Sequence, residues 1–381
     1  MSIPGLYSGN IPPPLPDRAR ASQPLPEVPN EPPAGSLVLI DVFNDGYDKA
    51  AHGNTAAYAA RQQGFRGNLY AQYIGSSNVP QMASTAHDYL NSGPLDAAQT
   101  NQAVDGYARY EMRGLLQSVA GDLNQLGERG LHESAVNVSY GTSPEAVADR
   151  LYKDMAGARE PFSHNAQFRD NILNAYGLDQ AKLESSDPRV SGPERANLQQ
   201  HLLDAAERAV HAPDVQQAQQ GYDQAVDSLQ AHHNSVVVSA GNEQQMIQGL
   251  TRDAGGIAPK VAADANHNLL ANSAVTTVGA TRWMDSRTER IAPYSNLDPN
   301  VGIYASGSVG NGANPQRMNT SGTSFAAPRV AATMATLHGT HPGFSNSATL
   351  NLMRSRLTHE LGGVPVLDYH RAEEYMRQGT F

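Results

Sequence analysis

The chain contains no cysteine. That absence excludes disulfides, zinc ribbons, thiolate metal sites and cysteine nucleophiles together. Aromatic residues are scarce as well, 6% of 381 residues with a single tryptophan, Trp283. No apolar run approaches the roughly 18 residues that a membrane-spanning helix needs. Basic blocks are missing: 27 Lys+Arg stand against 37 Asp+Glu, a formal net charge of −10. A protein that tracks nucleic-acid phosphates is thereby excluded. The first residues lack the basic and apolar regions of a secretory signal, so the expectation is a cytoplasmic chain or one exported by a dedicated non-Sec route. An apolar fraction of 39% still suffices, at this length, to bury a core.

Proline is unevenly spent. Ten of the 24 prolines fall within residues 1–35, and each removes a backbone donor, so this stretch is expected to be a flexible leader outside any central sheet or helix. Order is expected from Ser36. Leu37-Val38-Leu39-Ile40 is a continuous apolar run that ends in Asp41, the pattern of a parallel strand buried on both faces with a polar tip. His52-Gly53-Asn54-Thr55 opens an Ala-rich helix closed by Gly64, and Asn68–Ile74 reads as a second strand. Residues 76–105 are polar with weak periodicity, Tyr107–Gln125 reads as a helix, and Ala135–Ser139 as a further strand. Pro144, behind Ser143, starts a helical block that runs to about residue 230. Val236-Val237-Val238 and Val275–Val278 resume the strands, and Phe325–Leu337 is a helix. The expected architecture is α/β: a mostly parallel central sheet with helices on both faces, residues 36–381 forming one domain with a helical insertion at about 144–230.

The residues with chemical potential sit at the ends of these elements. Gly322-Thr323-Ser324-Phe325-Ala326-Ala327-Pro328 is a tight loop entering a helix, with Pro328 read as giving up a donor that would lack a partner. A serine nucleophile needs a base, and the base needs an orienting carboxylate. Upstream of Ser324, His52 at a helix start and Asp41 at a strand tip can serve. Asn242, directly after a buried strand, can present its side-chain amide to a developing oxyanion. Competing candidates fit less well. Asn44-Asp45-Gly46 suits a turn, and His132-Glu133 lacks the second histidine of a zincin helix. His87 lies in polar sequence, and His232-His233 falls at a helix end. Gly141-Thr142-Ser143-Pro144 suits a turn and a helix cap.

The order Asp41, His52, Asn242, Ser324 resembles that of the subtilisin-like serine proteases. Gly322–Pro328 matches the family's G-T-S-x-A-x-P nucleophile motif, and Val236–Asn242 (VVVSAGN) matches the strand that carries its oxyanion asparagine. Ala135–Gly141 (AVNVSYG) resembles the strand that lines the substrate cleft, and Thr276–Ala280 (TTVGA) with Tyr294-Ser295-Asn296 follows in family order. The resemblance implies the three-layer subtilisin-like fold and a serine endopeptidase working through an acyl-enzyme. It also implies a protein or peptide substrate bound along Ser139, Tyr140, Gly141, Ala240 and Gly241. No cofactor is required for that chemistry, and structural calcium sites are not readable from the sequence. Residues 1–35 are too short and Pro-rich for a folding pro-domain, but they could occlude the cleft. The insertion is expected to wall the cleft. Two other readings stay open: a catalytically silent scaffold with this fold, and a triad-based acyl transferase or esterase.

Overall fold

The computed structural model describes residues 25–43, 52–74, 93–155, 166–261, 268–284, 288–297, 300–310 and 320–378. Its centre is a sheet whose apolar runs alternate between two cores. In β1 (Leu37–Asp41) every residue is buried, Leu37 and Leu39 facing one core and Val38 and Ile40 the other. β2 (Leu69–Tyr73) and β3 (Ala135–Val138) pair with β1 in parallel, and β4 (Ser235–Ser239) pairs with β3. β5 (Thr276–Trp283) and β7 (Val301–Ser306) extend the parallel sheet, while β6 (Glu289–Ile291) turns back antiparallel on β5. β10 (Thr358–Leu361) and β11 (Val364–Leu367) form an antiparallel hairpin beyond β7, and β8 (Ser308–Val309) with β9 (Thr320–Ser321) makes a separate ribbon. The main order is β10-β11-β7-β5-β4-β3-β1-β2. Continuous Val/Leu/Ile runs are what strands covered on both faces require.

One layer of helices contains α1 (His52–Gln62), α9 (Thr323–Thr340), α10 (Asn346–Arg356) and α11 (Tyr369–Gln378). α9 is buried almost all round, which its small-residue composition permits close beneath the sheet. The other layer holds α2 (Ala97–Glu128), α3 (Pro144–Met155), α4 (Ala166–Ala175), α6 (Pro188–Val210) and α7 (Pro213–Gln230), with the short α5 (Gln180–Leu183) between them. Leu198, Leu202, Tyr222 and Val226 from this helical block share one core with Val38, Ile40, Val136 and Val238. The helices of residues 144–230 therefore pack as part of a layer on the sheet. α8 (Glu243–Asp253) follows β4.

Two boundaries differ from the sequence expectation. α2 begins at Ala97, inside the stretch of weak periodicity, because Asp96 and Gln99 form a reciprocal capping box and the buried face is made of Thr100, Ala103 and Val104. Order also begins before Ser36. Glu27 bridges Ala71 on the outer edge of β2, the Ala71 N–H donates to Pro26 O at 3.0 Å, and Arg129 Nη1 donates to Val28 O at 2.6 Å. Proline is tolerated there because an edge position leaves its missing donor without consequence. Residues 1–24, Asp45, Asp48 and His87 lie outside the described residues. Among the described residues no helix is long and apolar enough to cross a membrane.

Candidate active site

Four elements deliver polar groups to the carboxyl end of the parallel sheet, where α/β folds place their ligand sites. Asp41 ends β1 and is fully buried. His52 is the first residue of α1, and its Nδ1 meets both carboxylate oxygens of Asp41, at 2.8 and 2.9 Å. A backbone donor completes the carboxylate's shell, Val42 N–H to Oδ1 at 2.7 Å. The 11-residue spacing closes because α1 begins at once: the Gly53 N–H donates to Val42 O at 2.9 Å. Gly53 is required by close approach, since a Cβ there would fall 2.6–2.8 Å from the Phe43 ring. Burial alone would lower the His52 pKa, but the hydrogen bond and the charge of Asp41 outweigh it and hold the imidazole above its ordinary value.

Ser324 stands in the first turn of α9, two residues after the Gly322 cap. Its Oγ–H donates to Ser139 O at 3.1 Å, and Ser139 Oγ–H returns a bond to Ser324 O at 2.7 Å. The second bond corrects the expectation about Pro328. In a regular helix the N–H at 328 would bond to Ser324 O, so proline frees a carbonyl that Ser139 then satisfies. Asn137 Nδ2 donates to Ser139 Oγ at 2.8 Å and completes the chain. Phe325, next to the serine, lies against the His52 ring with centroids 5.3 Å apart.

Asn242 follows β4 and caps the start of α8. Its Oδ1 accepts from Thr323 N at 3.0 Å and from Thr323 Oγ1 at 3.2 Å. That anchoring leaves Nδ2 as the end of the amide available to a ligand; it is the atom closest to the Cβ direction of Gly322, at 3.5 Å. Ala240 and Gly241 are already heavily bonded. Ala240 N–H donates to Val278 O at 2.9 Å, Gly241 N–H to Thr323 Oγ1 at 3.2 Å, and Asn296 donates to both of their carbonyls. On the opposite side Tyr140 and Gly141 make no backbone hydrogen bond among the described residues, and Tyr140 is exposed. Ser143 caps α3, its Oγ accepting from Ala146 N at 3.0 Å, as its motif suggested. His132 is exposed and bonded to Gly130 O, and His232 and His233 sit in the turn after α7.

Four residues brace the site in a way the sequence reading did not foresee. Asn137 and the Ser139 hydroxyl brace Ser324, and Glu243 with Asn296 braces the Asn242 loop. A signal for the first existed, since Pro328 four residues beyond Ser324 demands another donor.

Residues 189–370 match the model of the subtilase family of peptidases. The match takes in 182 of the 381 residues, a little under half of the chain. The matched segment includes Asn242 and Ser324, whereas Asp41, His52 and Ser139 lie before it and join the site through the sheet. Solved structures with a related course include a lanthipeptide protease, at 12% identity, 89% of this chain, 87% of that chain and a TM-score of 0.39. MycP1 from the ESX-1 type VII secretion system matches at 14% identity, 89% of this chain, 80% of that chain and a TM-score of 0.39. A protease of Pseudoalteromonas arctica PAMC 21717 matches at 18% identity over 41% of this chain, with a TM-score of 0.29; the match spans 47% of that protease's length. No curated protein matches the chain.

Proposed function

We propose that the chain hydrolyses peptide bonds through an acyl-enzyme on Ser324. The observation that supports this best is the two-oxygen contact of buried Asp41 with His52 Nδ1. It fixes the tautomer that leaves Nε2 as a base. In the resting site the Ser324 hydroxyl rests on Ser139 O. Rotation about its side chain carries it to His52, a tightening that catalytic hydrogen bonds show when substrate binds.

Ser324 Oγ then bonds to the substrate carbonyl carbon while its proton passes to His52 Nε2. The carbonyl oxygen becomes an oxyanion, taken by Asn242 Nδ2 and the Ser324 backbone N–H. Asp41 stabilises the imidazolium. Collapse breaks the carbon–nitrogen bond, His52 returns the proton to the leaving amine, and a water repeats the sequence on the acyl-enzyme. An extended peptide would pair with the open backbone of Tyr140 and Gly141. Ala240 and Gly241 form the opposite wall. Every step uses the chain's own groups.

The test is covalent labelling by a fluorophosphonate, comparing wild type with Ser324→Ala, alongside cleavage of an unfolded protein. Labelling and cleavage that both vanish in the variant are expected. Absence of Ser324-dependent labelling would favour a silent scaffold, and labelling without peptide cleavage would favour an acyl transferase or esterase.

A further inference from the structure

Directly behind the Asn242 amide lies a carboxyl that the reaction above does not use. Glu243 is the first residue of α8 and is 5% exposed. Its Oε2 accepts from Asn296 Nδ2, which also donates to Ala240 O at 2.9 Å, while the Asn296 N–H donates to Gly241 O at 3.2 Å. Ser143, at the head of α3, lies close enough to the Glu243 carboxyl to act on its charge. Gly241 holds φ at +98°, and a Cβ there would fall 2.0 Å from Glu243 Oε2. The carboxyl therefore sits where three segments meet: the Gly241–Asn242 turn, the Asn296 loop that bonds directly to that turn, and the first turn of α3.

The charged groups around it are all acidic. Glu145, fully buried on α3, faces Glu243, and Asp149 follows one turn along the same helix. The Asn296 loop and the end of β4 bring no charge, and Arg252 and Asp253 sit at the far end of α8. A carboxyl facing Glu243 disfavours the charge on it. Burial first, then the charge of Glu145, pushes the Glu243 pKa up to about 8.

We propose that Glu243 is a positioning residue, holding the Asn242 amide on the oxyanion through its bond to Asn296 and its seat against the head of α3. The proposal rests on the reading of Asn242 and Ser324 given above. As an acid, Glu243 accepts from Asn296 with one oxygen and has a proton to direct at Glu145 or Ser143 with the other. As an anion it faces Glu145 with like charge, and the two sides of the cleft are pushed apart. A misplacement on the order of 1 Å in such a donor costs about 10²-fold in rate.

The experiment measures the saturating rate and half-saturating concentration for fluorophosphonate labelling of the full chain between pH 6 and 10. Wild type, Glu243→Ala, Glu243→Gln and Asn296→Ala are compared, each checked for native circular dichroism. Wild type should rise with the titration of His52 and fall above about pH 8. Glu243→Ala should lose at least about tenfold in the saturating rate, within the 10²–10³ that loss of an oxyanion donor itself produces, with little change in half-saturation. Glutamine is a neutral isostere of the acid, so Glu243→Gln should rescue most of that loss and show no alkaline fall. Asn296→Ala should lose a similar factor, and Glu243→Ala with Asn296→Ala together no more than either alone. An alkaline fall that persists in Glu243→Gln, or a wild-type rate in Glu243→Ala, would overturn the proposal. Wild type that shows no Ser324-dependent labelling would overturn the reading of the site, and this inference with it.

Discussion

Replacing Glu243 by glutamine should make the protein more stable at neutral and alkaline pH, by an amount that the burial of the acid sets. In the unfolded chain this carboxyl titrates near its ordinary 4.5, and in the fold near 8. Between those values the native state holds one proton more than the unfolded state, so stability falls as pH rises. The contribution is fully present below pH 4.5 and is lost once pH passes 8. At about 1.4 kcal/mol per pH unit, the whole window amounts to about 5 kcal/mol. That is a large part of the 5–15 kcal/mol typical of a folded domain. Glutamine keeps the hydrogen bonds and has no proton to lose. Urea unfolding at pH 5, 6, 7, 8 and 9 should therefore show the stability difference moving in favour of Glu243→Gln by about 1 kcal/mol per pH unit up to pH 8, then levelling. Far-UV circular dichroism is the suitable signal, because the only tryptophan, Trp283, is already 50% exposed. Parallel stability curves for the two proteins across this range would refute the assignment of a proton to Glu243.

Other outcomes follow from the same geometry. Asp41→Asn should lower kcat by about 10⁴, as the equivalent change does in a triad of the chymotrypsin type. Because Asp41 is what raises the His52 pKa, the acid limb of kcat/KM should also move to lower pH in that variant. Asn242→Ala should reduce kcat by about 10²–10³ with KM little changed, in line with the loss of an oxyanion asparagine in subtilisin. Gly53→Ala places a methyl against the Phe43 ring and should cost about 1–3 kcal/mol in unfolding free energy; Phe43→Leu in the same chain should recover part of it.

The strand tips were legible because parallel strands covered on both faces must be written as unbroken apolar runs, and LVLI and VVV are such runs. Each run also points at its chemistry at the sheet's carboxyl end: Asp41 closes β1, and Asn242 comes three residues after β4. The start of α2 was hidden because the first turns of its buried face, Thr100, Ala103 and Val104, leave little hydrophobic period; the Asp96–Gln99 cap marked it. The docking of residues 26–35 was hidden because proline content speaks against central strands and says nothing of edges. Glu243 and Asn296 are 53 positions apart, and no local pattern announces that a loop will return to brace another. Burial of a glutamate beside a second glutamate is a property of the assembled layers alone.

Ser139 and Ser324 exchange their two bonds across 185 positions of chain. During synthesis the ribosome delivers Asp41 and His52 early, Ser139 midway, and the nucleophile only near the end. Until α9 reaches β3, the rung that Pro328 leaves out of the helix has no substitute, and Ser324 has no settled place. On the proposed reading, a half-folded copy therefore carries a base with nothing to activate. On the reading proposed above, the ability to cut waits until two segments 185 positions apart have met.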